Sequence, residues 1–95
     1  MLQQQLQSFI DRYDELTKII VSPEVMSDIK RMTELSKEQS SIKKIVVAAH
    51  EYIQIIGDID DNKSMLDDPE LGELAKDELK ELEQRKPILE EEIKL

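Results

Sequence analysis

The residues with the best spacing for metal binding lie between Asp58 and Pro69. Asp58, Asp60 and Asn62 stand at the first, third and fifth positions of a helix–loop–helix calcium loop. The later positions do not fit, because Lys63 replaces the glycine that permits the sharp turn and Pro69 replaces the bidentate glutamate. We therefore expect a solvated helix face here and no metal site.

Nucleophilic and zinc chemistry have equally little support. His50 is the only histidine and the chain has no cysteine, so a typical zinc site cannot be completed. Ser40 and Ser41 would need a pocket with oxyanion donors to act as nucleophiles, which a thin helical bundle does not offer. We expect His50 to pack or to lie on the surface.

The paired carboxylates are adjacent in sequence rather than placed to converge across a cleft. Asp67 and Asp68 form one such pair, and residues 90–92 form an acidic run. Capping and solvation are the roles that this pattern favours. No GxGxxG, P-loop or GxSxG motif is present. We predict that the chain is not an enzyme and has no catalytic, cofactor-binding or metal-ligating residues and no cofactor.

Composition restricts the class of partner. The 95 residues carry a formal net charge of −9, which disfavours direct nucleic-acid binding and favours protein partners with basic faces. No stretch approaches the roughly 18 apolar residues of a membrane span, and the acidic polar faces disfavour anionic lipid. With no cysteine, the chain suits a reducing compartment, and we predict a cytoplasmic protein without membrane association.

The first segment has one apolar stripe with the alternating 3- and 4-residue spacing of an amphipathic helix. We expect this helix to end near Val21, because Pro23 disfavours the α conformation at Ser22. A corner is predicted at residues 22–25, and Ile10 and Thr17 widen the stripe. The stripe comprises Leu2, Leu6, Phe9, Tyr13, Leu16 and Ile20.

The second segment predicts one helix of about 40 residues, roughly 60 Å long. It begins after Ser27 or Asp28 as the N-cap, and no proline follows until Pro69. Gly57 is its one weak position, where a local bend would be tolerated. The apolar seam comprises Met32, Leu35, Gln39, Ile42, Val46, Ala49, Ile53 and Ile56, and beyond Gly57 it shifts to Ile59 and Leu66.

The third segment predicts a helix that begins with Asp68 as the N-cap and Pro69 at the first helical position. Pro87 should kink or interrupt this helix at a cost of about 3 kcal/mol, so that residues 88–95 form a frayed or separate last turn. The apolar stripe comprises Leu71, Leu74, Ala75, Leu79, Leu82, Leu89 and Ile93.

These segments predict an all-α fold, an elongated antiparallel three-helix bundle or coiled-coil-like rod with a long central helix. The first helix should pack on the early part of the second, and the third on its later part. Residues 45–56 are apolar on more than one face, as expected of a helix with neighbours on two sides. We treat residues 1–95 as a single helical domain and leave open whether the excised domain forms a homodimer.

Three segments together carry a family resemblance. They are SPEVMSDIKR at residues 22–31, ELSKE at 34–38 and MLDDPELGELAKDEL at 65–79. In this order and at these separations they resemble the N-terminal domain of bacterial-type peptide chain release factors, the class I release factor family. The resemblance runs from about Leu6 to the end, and it is strongest to the type 1 members, which read UAA and UAG.

The resemblance implies one accessory domain of a larger factor that enters the ribosome at a stop codon and triggers hydrolysis of peptidyl-tRNA. The codon-reading and Gly-Gly-Gln domains of such factors are absent from this chain, which has no Gly-Gly pair. The partners implied are the ribosome, through ribosomal proteins near the stalk base, and the class II release factor GTPase. An acidic surface suits basic ribosomal proteins better than RNA.

Some positions depart from the family pattern. Gly72 and Pro87 stand where good helix formers are usual, and Ile29 stands where a proline is common. We expect Leu95 to be a boundary within a longer protein rather than a natural terminus. The main alternative is a free-standing acidic coiled-coil adaptor for protein–protein interaction, and a metal-dependent enzyme or calcium sensor is a third. A Gly-Gly-Gln motif encoded beyond Leu95 would separate the first two.

Overall fold

Between residues 2 and 94, the regular elements of the protein are all helices. The computed structural model describes residues 2–94, and in this range the helices are α1 (Leu2–Ile20), α2 (Pro23–Met26), α3 (Ile29–Ser64) and α4 (Gly72–Glu92). The predicted all-α fold with a long central helix is confirmed. At 36 residues, α3 is close to its predicted length. The helices divide into two compact units, the first ending at Ala49 and the second beginning at His50.

The first unit consists of α1, α2 and the early part of α3. Gln39 ties α1 to α3, since its Nε2 donates hydrogen bonds to Thr17 Oγ1 at 2.6 Å and to the Tyr13 carbonyl at 3.3 Å. α1 and the early part of α3 therefore form a helical hairpin, as predicted. Its buried apolar residues are Leu6, Ile10, Leu16, Val25, Val46 and Ala49.

The corner of the first unit follows the predicted proline chemistry. α1 ends at Ile20, and Ser22 is extended, with φ −70° and ψ 143°, as a residue before proline should be. Pro23 then opens the one-turn helix α2, which the sequence did not predict. Asp28, rather than Ser27, caps α3, because its Oδ1 accepts a hydrogen bond from the Arg31 N–H at 3.1 Å.

The second unit consists of the later part of α3 and α4. The predicted seam residues Ile53 and Ile56 are only half-buried. In this unit, the face of α3 that is buried is the face that α4 covers. The heptad spacing along α3 alone does not encode where α4 lies. Asn62 is buried without penalty because its Nδ2 donates to the Asp58 carbonyl at 2.8 Å. The buried residues are Tyr52, Ile55, Ile59, Asn62, Ala75, Leu89 and Ile93.

The turn between α3 and α4 occupies residues 65–71. Asp68 was predicted as the N-cap of this helix, but the N-cap of α4 is Leu71. Asp68 instead caps the turn, since its Oδ1 accepts hydrogen bonds from the N–H groups of Glu70 at 2.8 Å and Leu71 at 2.9 Å. The regular helix begins at Gly72, however, and not at Pro69. Gly72 approaches the chain closely, because a Cβ added there would lie 2.6 Å from the Leu66 carbonyl oxygen.

Two leucines of the predicted α4 stripe are not in the core. Leu71 and Leu74 are exposed, while Ala75, the next residue, is buried. Leu71 precedes the helix, which begins at Gly72, and Leu74 lies in its first turn, where the position of the helix boundary is least certain from sequence. Their assignment to the buried stripe was wrong, and so was the seam position of Leu66, which is also exposed.

Pro87 does not end the last helix. α4 continues through it to Glu92, which corrects the predicted interruption. Leu89 and Ile93 lie beyond the proline and are completely buried, each contributing about 1.5–3 kcal/mol. Together they offset the cost of about 3 kcal/mol for a proline within a helix. The Ile93 N–H also donates to the Leu89 carbonyl at 2.9 Å, which closes the last turn.

A charge placed in the first unit's core should unfold it. Val46 is 4% exposed and Val47 is 62% exposed, so these neighbours form a matched pair. We expect Val46→Asp to destabilise the domain by about 3 kcal/mol or more, because the carboxylate would be buried without a partner. Val47→Asp should leave thermal denaturation, followed by circular dichroism, close to wild type. Equal melting of both variants would contradict the packing described.

The two glycines should respond in opposite directions to alanine. Gly72→Ala places a methyl group against the Leu66 carbonyl and should destabilise the domain by about 1–3 kcal/mol. Gly57 has no atom within 4 Å of an added Cβ, so Gly57→Ala should stabilise α3 by about 0.5–1 kcal/mol. Urea denaturation of both variants measures this difference, and a stabilised Gly72→Ala protein would show that the turn is not close-packed.

The Asp68 cap should make stability depend on pH. The hydrogen bonds from the Leu71 and Glu70 N–H groups lower the Asp68 pKa below its ordinary value of 3.8. The cap therefore stabilises the fold at neutral pH and loses its effect as pH falls below 3.8 through the lower folded-state pKa. Asp68→Ala should lower Tm at pH 7, and the difference from wild type should shrink in acid. Asp67→Ala, at the neighbouring exposed carboxylate, should show neither effect.

Candidate protein-interaction surface

The charge of the protein is concentrated in its second unit. Residues 50–95 hold 15 of the 22 acidic residues but only six of the 13 basic ones, so the whole formal net charge of −9 falls there. Residues 1–49 carry equal numbers of acidic and basic side chains. A partner with a basic face is therefore attracted to the second unit.

Exposed apolar side chains accompany this charge at the turn between α3 and α4. We call Leu66, Leu71 and Leu74 the corner patch, and all three are exposed. The short distance between the Gly72 position and the Leu66 carbonyl places the end of the turn beside its beginning. Exposed carboxylates precede the patch in sequence at Asp60 and Asp61 and lie between its leucines at Asp67, Glu70 and Glu73.

An arginine holds α4 on α3 below this turn. Arg85 donates to both carboxylate oxygens of Glu51, with Nε–Oε1 and Nη2–Oε2 distances of 3.1 Å, and its Nη1 lies 3.9 Å from Glu92. The hydrogen bond from Arg85 lowers the pKa of Glu51. Because these side chains are partly exposed, solvent screens the attraction between their charges. The two-point hydrogen-bond geometry therefore contributes more to holding α4 on α3 than the charge attraction does.

Tyr52 adds a second polar link between α3 and α4. Its ring is buried, and its hydroxyl donates to Glu90 Oε2 at 3.0 Å. Burial raises the Tyr52 pKa, and the Glu90 carboxylate raises it further. The tyrosine therefore stays neutral and keeps donating this hydrogen bond through the physiological pH range.

The first unit has the same kind of clamp. Arg12 donates to both oxygens of Glu38, with Nε–Oε2 at 2.6 Å and Nη2–Oε1 at 2.9 Å, and also to Glu15 at 3.0 Å. The hydrogen bond from Arg12 lowers the pKa of Glu38. Each helical hairpin is thus joined by one bidentate arginine–glutamate pair, and neither pair was predicted from the sequence.

The first unit also exposes apolar side chains, but without an excess of charge. Val21, Met26 and Ile29 are exposed around the corner that contains α2. A separate open groove runs along α3 and is lined by Met32, Thr33, Ser36, Lys37, Ser40 and Ser41. Neither feature carries groups that select one class of ligand.

The residues considered for chemistry are not gathered into one place. His50, Ser40 and Ser41 are exposed on α3, and Ser41 Oγ donates to the Glu38 carbonyl at 2.6 Å. The span considered as a calcium loop is helical from residue 58 to residue 64. Between residues 2 and 94, no group of three or more acidic or histidine side chains could hold a metal ion. The absence of catalytic, metal and cofactor residues stays a prediction.

A helix can cross a membrane only if it is long and apolar enough. None within residues 2–94 is both long enough and apolar enough to cross a membrane.

Comparison with known proteins gives one consistent result. The PCRF domain family matches residues 9–95. Proteins named Peptide chain release factor 1 are 64% identical in Aliarcobacter butzleri and 56% identical in Nitratiruptor sp., over 100% of this chain, and 55% identical in Helicobacter pylori, over 99%. The chain spans 27% of the length of each of these relatives. No solved structure matches.

These matches confirm the resemblance inferred from the three sequence segments, and they extend it over the full chain. Since the family match covers nearly all of the sequence, the chain belongs to the PCRF domain family.

Proposed function

We propose that this chain is the accessory N-terminal domain of a translation termination factor that directs peptide release at UAA and UAG stop codons. The observation that carries the proposal is the identity of 64% over the whole chain to a protein named Peptide chain release factor 1. Because the chain spans only 27% of that relative, the codon-reading and hydrolytic steps belong to other parts of the factor.

The surface of the domain supports a binding role within such a factor. Its charge of −9 opposes the RNA backbone, so contacts with the ribosome run through basic ribosomal proteins near the stalk base. The class II release factor GTPase is the second partner. Neither contact requires a pocket, and both suit exposed helical faces with charged rims.

The domain has no catalytic activity of its own in this proposal, and the factor acts in the cytoplasm. Gly57 and Gly72 are the only glycines, so a Gly-Gly-Gln motif must come from elsewhere in the factor. A free-standing acidic adaptor would share the helical fold and the charge. It would differ by lacking any effect on peptide release.

Peptide release by the full-length factor tests the proposal. In a reconstituted assay with purified ribosomes, the full-length factor should release peptide at UAA and UAG but not at UGA, and the 95-residue chain alone should release none. A factor without residues 1–95 should keep hydrolysis at high concentration and lose stimulation by the class II GTPase. Release at UGA instead of UAG would overturn the codon assignment, and no release at any stop codon would favour the adaptor.

A further inference from the structure

We propose that the corner patch, Leu66, Leu71 and Leu74, is the surface through which this domain binds a basic ribosomal protein. The expected partner face has an apolar centre surrounded by lysine and arginine. The inference rests on the proposed function and deepens it, because it assigns the ribosomal contact to one turn of the second unit.

The apolar part of the argument concerns side chains that the fold leaves uncovered. Leu71, in the turn, is 45% exposed, and Leu74, in the first turn of α4, is 65% exposed, although the next residue, Ala75, is 2% exposed. Leu66 lies across the turn from them and is also exposed. Three large aliphatic side chains at one turn offer a centre for an interface that excludes water.

The charge around the patch selects the class of partner. Residues 58–78 contain nine acidic side chains and only two basic ones, Lys63 and Lys76. A phosphate backbone would be repelled, and a second copy of this chain would bring the same acidic turn with it. A protein face rich in lysine and arginine is attracted, and its apolar centre covers the leucines.

The turn is also rigid enough to present these leucines at low entropic cost. Asp68 fixes residues 70 and 71 through two backbone hydrogen bonds, and the Gly72 N–H donates to the Asp68 carbonyl at 2.9 Å. Ser64 Oγ donates to the Asp61 carbonyl at 2.7 Å on the other side of the turn. A preformed surface loses little conformational freedom on binding.

The first unit provides a control surface of similar hydrophobicity and different charge. Val21 is 65% exposed, as Leu74 is, and Met26 is 57% exposed. The 49 residues of that unit have no net charge. A general requirement for exposed apolar side chains would involve both corners, whereas the proposal involves only the corner patch.

The test titrates the full-length factor against ribosomes stalled at UAA and measures the rate of peptide release. Leu71→Ser with Leu74→Ser should raise the half-saturating concentration about five- to tenfold and leave the maximal rate unchanged. Val21→Ser with Met26→Ser should match wild type.

Glu70→Gln with Glu73→Gln should weaken the salt dependence of binding, unlike Glu24→Gln with Glu34→Gln. Unchanged titrations for the corner-patch variants, or equal losses in the control, would overturn the proposal.

A photocrosslink identifies the partner without altering the charge. A photoreactive residue placed at position 71 of the full-length factor should crosslink to a ribosomal protein, and a product with ribosomal RNA would overturn the proposal. Thermal melting verifies that each variant is folded. If the unmodified factor releases no peptide at any stop codon, the proposed function itself has failed. If the factor is active but the corner-patch variants titrate like wild type, only the proposal about the corner patch has failed.

Discussion

The second unit depends on one close approach of the chain to itself. α4 can return along α3 only if seven residues reverse the chain direction, and this turn brings the start of α4 against the Leu66 carbonyl. A Cβ at position 72 would lie 2.6 Å from that oxygen, so a side chain there would force the turn to shift. Glycine costs helix stability there, but the turn that it permits allows Tyr52, Leu89 and Ile93 to be buried together.

The same unit must tolerate a large excess of negative charge. Its structure does so by placing most carboxylates in solvent and using a few of them structurally. Arg85 neutralises Glu51, Tyr52 donates to Glu90, and Asp68 accepts backbone hydrogen bonds. Carboxylates that make such bonds stabilise the fold, while the others repel one another at a distance and are screened by salt.

Sequence patterns predicted the elements better than their contacts. The helices, the corner at Pro23 and the Asp68 cap follow from local rules on spacing, proline and capping. Ile53 was misplaced because the covered face of a helix depends on a partner distant in sequence. The predicted interruption at Pro87 was wrong, because the burial of Leu89 and Ile93 beyond it is a tertiary effect that the local sequence does not encode. Leu71 and Leu74 were assigned to the core because the start of α4 was placed too early, so the candidate surface emerged only from the structure.

The proline within α4 has a consequence for how the helix opens over time. Pro87 has no amide hydrogen, so the helix lacks at this point the backbone hydrogen bond that would run to the Glu83 carbonyl. Opening that begins at the C-terminal end can stop there without melting the preceding turns. We therefore expect hydrogen exchange in α4 to divide near residue 87 into two segments that open separately, even though the helix is continuous.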